Sequence, residues 1–156
     1  MRRTVSIATG LLVAILITTV PSRASAGDPV GPKLTNRLKE LLATEMAQVG
    51  EATSALAIAI ASGDHNTVAD LGAKVHDSFI LKQSLTPQDR KDLVGAVPKA
   101  FLMLDKRLHG MAGKMAAAAR AKDTELQLFY YGQMLEACAQ CHGQYASDRF
   151  SGFSSE

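Results

Sequence analysis

The only two cysteines of the chain lie in one run near its end, Cys138-Ala139-Gln140-Cys141-His142. C-x-x-C-H is the spacing at which c-type haem is attached: each thiol adds to a vinyl group of the porphyrin, and the adjoining imidazole binds the iron. On a helix, Cys138 and His142 stand four residues apart on one face, with Cys141 at its edge. Other chemistry uses the same residue types. A thioredoxin-like dithiol expects a βαβ setting, which no stretch of this chain suggests. Zinc wants a second ligand pair at comparable spacing, and His65, His76 and His109 are scattered singly. A disulfide between consecutive helical turns closes so short a loop that it restrains little of the unfolded chain. Covalent haem is the chemistry this spacing serves best.

A helix must carry the motif. Leu128, Tyr131, Leu135, Cys138, His142 and Tyr145 alternate steps of three and four, which is one stripe of an amphipathic helix, and Asp123 is placed to cap it. The stripe predicts that the motif faces inward, between helices. Three other long helical stretches precede it. The first runs from Lys33 to the Ser62-Gly63 stop, with Leu42, Met46, Val49, Thr53, Leu56 and Ile60 on its seam. Its outer positions are rich in alanine: Ala55, Ala57, Ala59 and Ala61. Asp64 caps the second helix, from about His65 to Leu81, whose core face holds Val68, Leu71, Val75 and Phe79.

Thr86 and Pro87 open a short helix to about Val94, and Gly95 and Pro98 separate it from a long third helix over Pro98–Lys122. A single kinked helix is the alternative. The seam of the third helix is Phe101, Leu104, Leu108, Met111, Met115 and Ala118. Its alanine-rich end allows close approach by a neighbour or a flat cofactor. Residues Gly27 to Pro32 read as a loose lead-in, and Arg149 to Glu156 as a frayed tail. No stretch alternates with period two. The expected fold is therefore all-α, an antiparallel up-down-up-down four-helix bundle. Helices closed around a bound group would leave an opening near Cys141 in the protein alone.

At the other end, Arg2 and Arg3 precede an apolar run from Ile7 to Val20, then Pro21 and the small-residue pattern Ala24-Ser25-Ala26. This is the pattern of a secretory signal peptide cleaved after Ala26. The rival reading is an uncleaved membrane anchor, but the run, interrupted by Thr9 and Gly10, is short of the ~20 apolar residues that span a bilayer, so cleavage is expected. The expected division is a signal peptide, 1–26, and one domain, 27–156. The signal takes three of the seventeen basic residues with it, leaving fourteen against fifteen acidic ones. The slight basicity belongs to the signal, and no nucleic-acid partner is implied. Export to the periplasm agrees with the motif, because haem is attached to c-type cytochromes outside the bacterial inner membrane.

A C-terminal C-x-x-C-H on the last of four helices, followed by Tyr145 and preceded by Pro98-x-x-Phe101, resembles the class II cytochromes c. That family comprises cytochrome c′ and its low-spin relatives of the c-556 type, and the resemblance covers the domain. It implies one covalent haem c on Cys138 and Cys141, with His142 as the proximal iron ligand. Low-spin members place a methionine of the first helix on the distal side of iron; cytochromes c′ have an apolar residue there and leave the iron open to NO or CO. Met46 is the only methionine of the first helix, lies on its seam and stands at the family's distance from the Gly63 turn. The resemblance thus implies a His142/Met46 electron carrier, with a five-coordinate NO- or CO-binding protein as the alternative.

His76 and His109 are rival sixth ligands, while Met111 and Met115 have ordinary core spacing. Tyr145 is a candidate for packing on the haem, and Arg149 for its propionates. Relatives often carry an arginine one turn before the distal residue, where this chain has Leu42; its nearest arginine is Arg37. No set of distal polar groups suggests an enzyme such as a peroxidase. The resemblance implies periplasmic or membrane redox proteins as partners, and a homodimer through the first two helices, which the outer alanines of the first permit but do not demand.

Overall fold

All regular structure in the computed structural model, which describes residues 28–78 and 81–153, is helical. The elements are α1 (Asn36–Ser62), α2 (His65–Asp77), α3 (Leu81–Ser84), α4 (Pro87–Ala96), α5 (Lys99–Arg120) and α6 (Thr124–Tyr145), with 3-10 turns at Gly31–Lys33 and Ser151–Phe153. The expected signal peptide and Phe79 lie outside the described residues. Among the described residues, no helix is long and apolar enough to cross a membrane.

Side chains close to each boundary set the helix ends. Thr35, Asp64 and Asp123 accept hydrogen bonds from the backbone N–H groups of Leu38, Thr67 and Leu126, and so cap α1, α2 and α6. Thr86 and Asp89 cap α4 reciprocally. Such caps contribute about 1 kcal/mol each, because they satisfy donors the helix cannot. Gly63 ends α1 at φ 71°, a conformation that costs a glycine little.

The second helix stops at Asp77, four residues before the expected Leu81. Ser78 turns out of it at φ 61°, and its buried hydroxyl donates to Glu45 at 2.8 Å. The N–H of Leu81 donates to the other carboxylate oxygen at 3.3 Å. Glu45 lies on α1 and is fully buried. A carboxylate in that position needs hydrogen bonds, and the break in the helix supplies them. We expect Glu45→Ala to destabilise the fold by about 2 kcal/mol, because the buried Ser78 hydroxyl and the half-buried Leu81 N–H lose their acceptor. Urea denaturation checks this; an unchanged midpoint would leave the α1–α3 contact without energetic weight.

Helix α5 lies along both α2 and α6, while α1 packs on α2 and meets α6 only sparsely. The alanines of α5 serve a neighbouring helix. A Cβ on Gly72 of α2 would come within 3.1 Å of the Ala112 carbonyl and of the Ala116 Cβ, so glycine lets the two backbones close up. On the other side of α5, the Ala121–Asp123 link folds α6 back, and Arg107 reaches Gln133, Glu136 and Gln140.

Two apolar clusters result. One is built on Leu56, Val68, Val75, Met115 and Met134, with Met46, Met111 and Cys138 packed against it. The other joins Val30, Leu34, Leu38, Val97, Phe101 and Tyr145, with Leu42 and Cys141 at its margin.

Three further expectations need correction. The lead-in is not loose from Val30 onward: Val30 is buried, and its N–H donates to the Tyr145 carbonyl at 2.9 Å. Of the alanines thought to be outward on α1, Ala59 is buried, whereas Ala55, Ala57 and Ala61 are exposed. The buried stripe of α6 is turned from the expected one. Leu128 and Leu135 are 55% and 43% exposed, while Gln127, Met134 and Ala137 are buried. Gln127 is drawn in by His65, to whose Nδ1 its amide donates at 3.0 Å.

Candidate functional site

The turn of α6 brings Cys141 and Cys138 to the inner flank, half-buried, with His142 beside them. Both thiols are free, and burial raises both pKa values. For Cys141 the nearby charges of Asp105 and Cys138 add to burial and push the thiol up to about 11. Thiols held protonated at neutral pH are poor attacking groups, which argues against a thioredoxin-like dithiol. Burial lowers the pKa of His142, so its imidazole is neutral at pH 7, with a lone pair available for a metal. The ring stacks on Phe150, centroids 4.1 Å apart and planes 11° apart. The tail therefore folds back over the motif through residue 153 rather than fraying at Arg149; residues 154–156 lie outside the described residues.

One hydrogen bond sets the level of α1 against α6. The Tyr131 hydroxyl donates to the Thr53 carbonyl at 3.1 Å. Met46 is seven residues before Thr53, and Cys138 is seven after Tyr131. Each lies about 10.5 Å along its own helix from that bond, in the same direction where the two helices run opposite ways. The packing agrees: Met46 and Cys138 border one apolar cluster, and Leu42 and Cys141, one turn on, border the other. Along this seam α1 and α6 touch only sparsely.

Comparison of the chain with known protein families, with curated proteins and with solved structures returns no match. Function rests on the site alone. Among the described residues, no group of three or more His, Cys, Asp or Glu side chains is placed to hold a bare metal ion, which leaves the zinc reading without a ligand set.

A cleft of about 160 Å³ opens between α1, α3, α4 and α5; Cys141 does not line it but borders the apolar cluster that does. Leu38, Leu42, Leu93 and Phe101 form its apolar walls, and Lys82, Arg90 and Asp105 also line it. Tyr145 is buried and meets Phe101 edge-on at 5.5 Å, so it backs this wall. Arg149 is exposed on the tail. Arg37 is occupied: its guanidinium binds Asp89 at 3.1 Å and donates to the Ser84 carbonyl at 3.2 Å.

Of the two histidines weighed as iron ligands, His109 is engaged through both ring nitrogens and His76 through one. His76 pairs through Nδ1 with the His109 carbonyl at 2.9 Å. His109 is buried, its Nδ1–H donating to the Val75 carbonyl and its Nε2 lying 3.5 Å from Asp105. Sequence spacing did not single out Asp105 or Glu45. The only trace of Glu45 is its place in the seven-residue series Leu38, Glu45, Ala52, Ala59, all buried.

Burial alone would lower the pKa of His109, but the hydrogen bonds to Asp105 and Val75 and the charges of Asp105 and Glu45 outweigh it and hold the pKa above its usual value. The protonated ring therefore stabilises the fold fully below the unfolded-state pKa, about 6.5, and that stability is lost as pH rises through the raised folded value. Denaturation midpoints should fall across this window, and His109→Gln should flatten the fall. An identical slope in the variant would assign the effect to another group.

Proposed function

We propose that this chain is a monohaem c-type cytochrome of the class II kind, exported to the periplasm and working as a one-electron carrier. In this reading α1, α2, α5 and α6 form an antiparallel four-helix bundle, and α3 and α4 bridge the middle connection. The observation that carries it is the Cys138-x-x-Cys141-His142 run on α6, with Met46 of α1 packed against the same apolar cluster as Cys138.

The residues present fit the group. Cys138 and Cys141, the chain's only thiols, would hold it through thioethers; the neutral imidazole of His142 would be the proximal ligand and the Met46 sulfur the distal one. When bound, haem c supplies a one-electron iron couple. The chain does the rest. A methionine ligand and apolar surroundings favour the reduced iron and raise the potential. The clusters around Met115 and Phe101 keep water from the ligands. Phe150 limits rotation of His142. Both ring nitrogens of His109 are engaged elsewhere, which favours Met46 over His109 as the distal ligand. Periplasmic or membrane redox proteins would be the partners, and no catalytic group is assigned.

The test is purification from a host that matures c-type cytochromes. The product should be red, keep its pigment through acid-acetone extraction and give a sharp low-spin α-band when reduced. A colourless chain, or pigment lost to the solvent, overturns the proposal. A red chain with a broad high-spin spectrum that responds to CO replaces the electron carrier by a five-coordinate gas-binding protein.

A further inference from the structure

We propose that Lys82 and Arg90 form a carboxylate-binding pair at the α3–α4 side of the cleft, where they hold the propionates of the haem; this rests on the haem reading above. The two cations come from different elements, Lys82 from α3 and Arg90 from α4, yet line one cleft whose other walls are leucines and Phe101. Arg90 donates to the Lys82 carbonyl at 3.4 Å, which holds the pair together. Lys82 itself donates to the His76 carbonyl at 2.6 Å. These partners are neutral. Among the described residues neither cation is paired with a carboxylate, whereas Arg37 is held by Asp89 and Arg107 by Glu136. Asp105, the one acid lining the cleft, is engaged with His109.

An apolar slot beside two uncompensated cations suits an apolar body that ends in carboxylates. Arginine can bind one through two parallel hydrogen bonds, and lysine offers a point charge for a second. At about 160 Å³ the cleft is smaller than the usual 300–1,000 Å³ ligand pocket, so it takes the edge of a larger molecule rather than a whole one. The occupant follows from the neighbouring wall. Cys141 borders the cluster that lines the cleft, and its thiol is within reach of the charge of Asp105. A porphyrin tethered at Cys141 begins beside this slot and carries two carboxylates.

The experiment compares the matured holoprotein with three variants: Lys82→Gln/Arg90→Gln, the charge-keeping Lys82→Arg/Arg90→Lys, and Arg120→Gln at the far end of α5. Reduction potential is measured against pH. Loss of two cations near the propionates should lower the potential and move its pH inflection upward, because the carboxyl groups then ionise less readily. Arg120→Gln should follow the wild type, and the charge-keeping variant should recover most of the potential that the double glutamine loses. Lys82 and Arg90 are exposed, so the substitutions leave the core intact. A red double-glutamine variant with the wild-type potential and pH profile overturns this proposal alone. A wild-type chain without covalent pigment overturns the haem reading, and this proposal with it.

Discussion

Cys138→Ala/Cys141→Ala, matured beside the wild type, should yield a chain that carries no pigment after denaturation. The expected effect is all or none, since thioether bonds need both the sulfur and a maturation system that reads the motif. On a denaturing gel stained for haem peroxidase activity, the wild type gives a band and the variant gives none. Circular dichroism of the variant separates loss of attachment from loss of fold. Both side chains are only half-buried, at the margins of the two clusters, so most helicity should survive in the folded chain. A dithiol function predicts something else: a colourless wild type that consumes two electrons per chain on reduction. The raised thiol pKa values oppose that outcome.

Met46→Leu should convert a low-spin, six-coordinate spectrum into a high-spin one and open the iron to CO. Leucine is close in volume to methionine and sits among apolar neighbours, so the fold should change by less than about 1.5 kcal/mol. The charge-transfer band of a methionine–iron bond should vanish from the oxidised spectrum. Potential should fall as well, because loss of the thioether removes a ligand that favours ferrous iron. His76→Ala should leave the spectrum unchanged. If Met46→Leu changes neither spin state nor CO binding, the sixth ligand is not Met46.

Much of this molecule is local, and what is local was legible in the amino-acid order. Asp64, Thr86 and Asp123 fall where helices begin because each carries an oxygen that reaches N–H groups two or three residues on. Gly63 falls where α1 ends because a left-handed turn is easy for glycine. The C-x-x-C-H run is also local, five residues whose spacing is matched to one helical turn. So is the separation of α4 from α5 at Val97 and Pro98.

What the tertiary structure decided is which side of each helix is inside. Helix α6 is apolar on two faces, and either Leu128 with Leu135 or Met134 with Ala137 could have faced the core. The choice went to the second pair because α5 packs along that flank and His65 provides a partner for Gln127. Nothing within α6 distinguishes the two. The same holds for Glu45, a carboxyl group on a core stripe to which a turn 33 residues later brings the Ser78 hydroxyl. It holds too for Val30 and Phe150, each tied down by a group on α6 that no local pattern could announce. Helix ends are set by atoms a few bonds apart, whereas burial is set by whichever surface arrives from elsewhere in the chain.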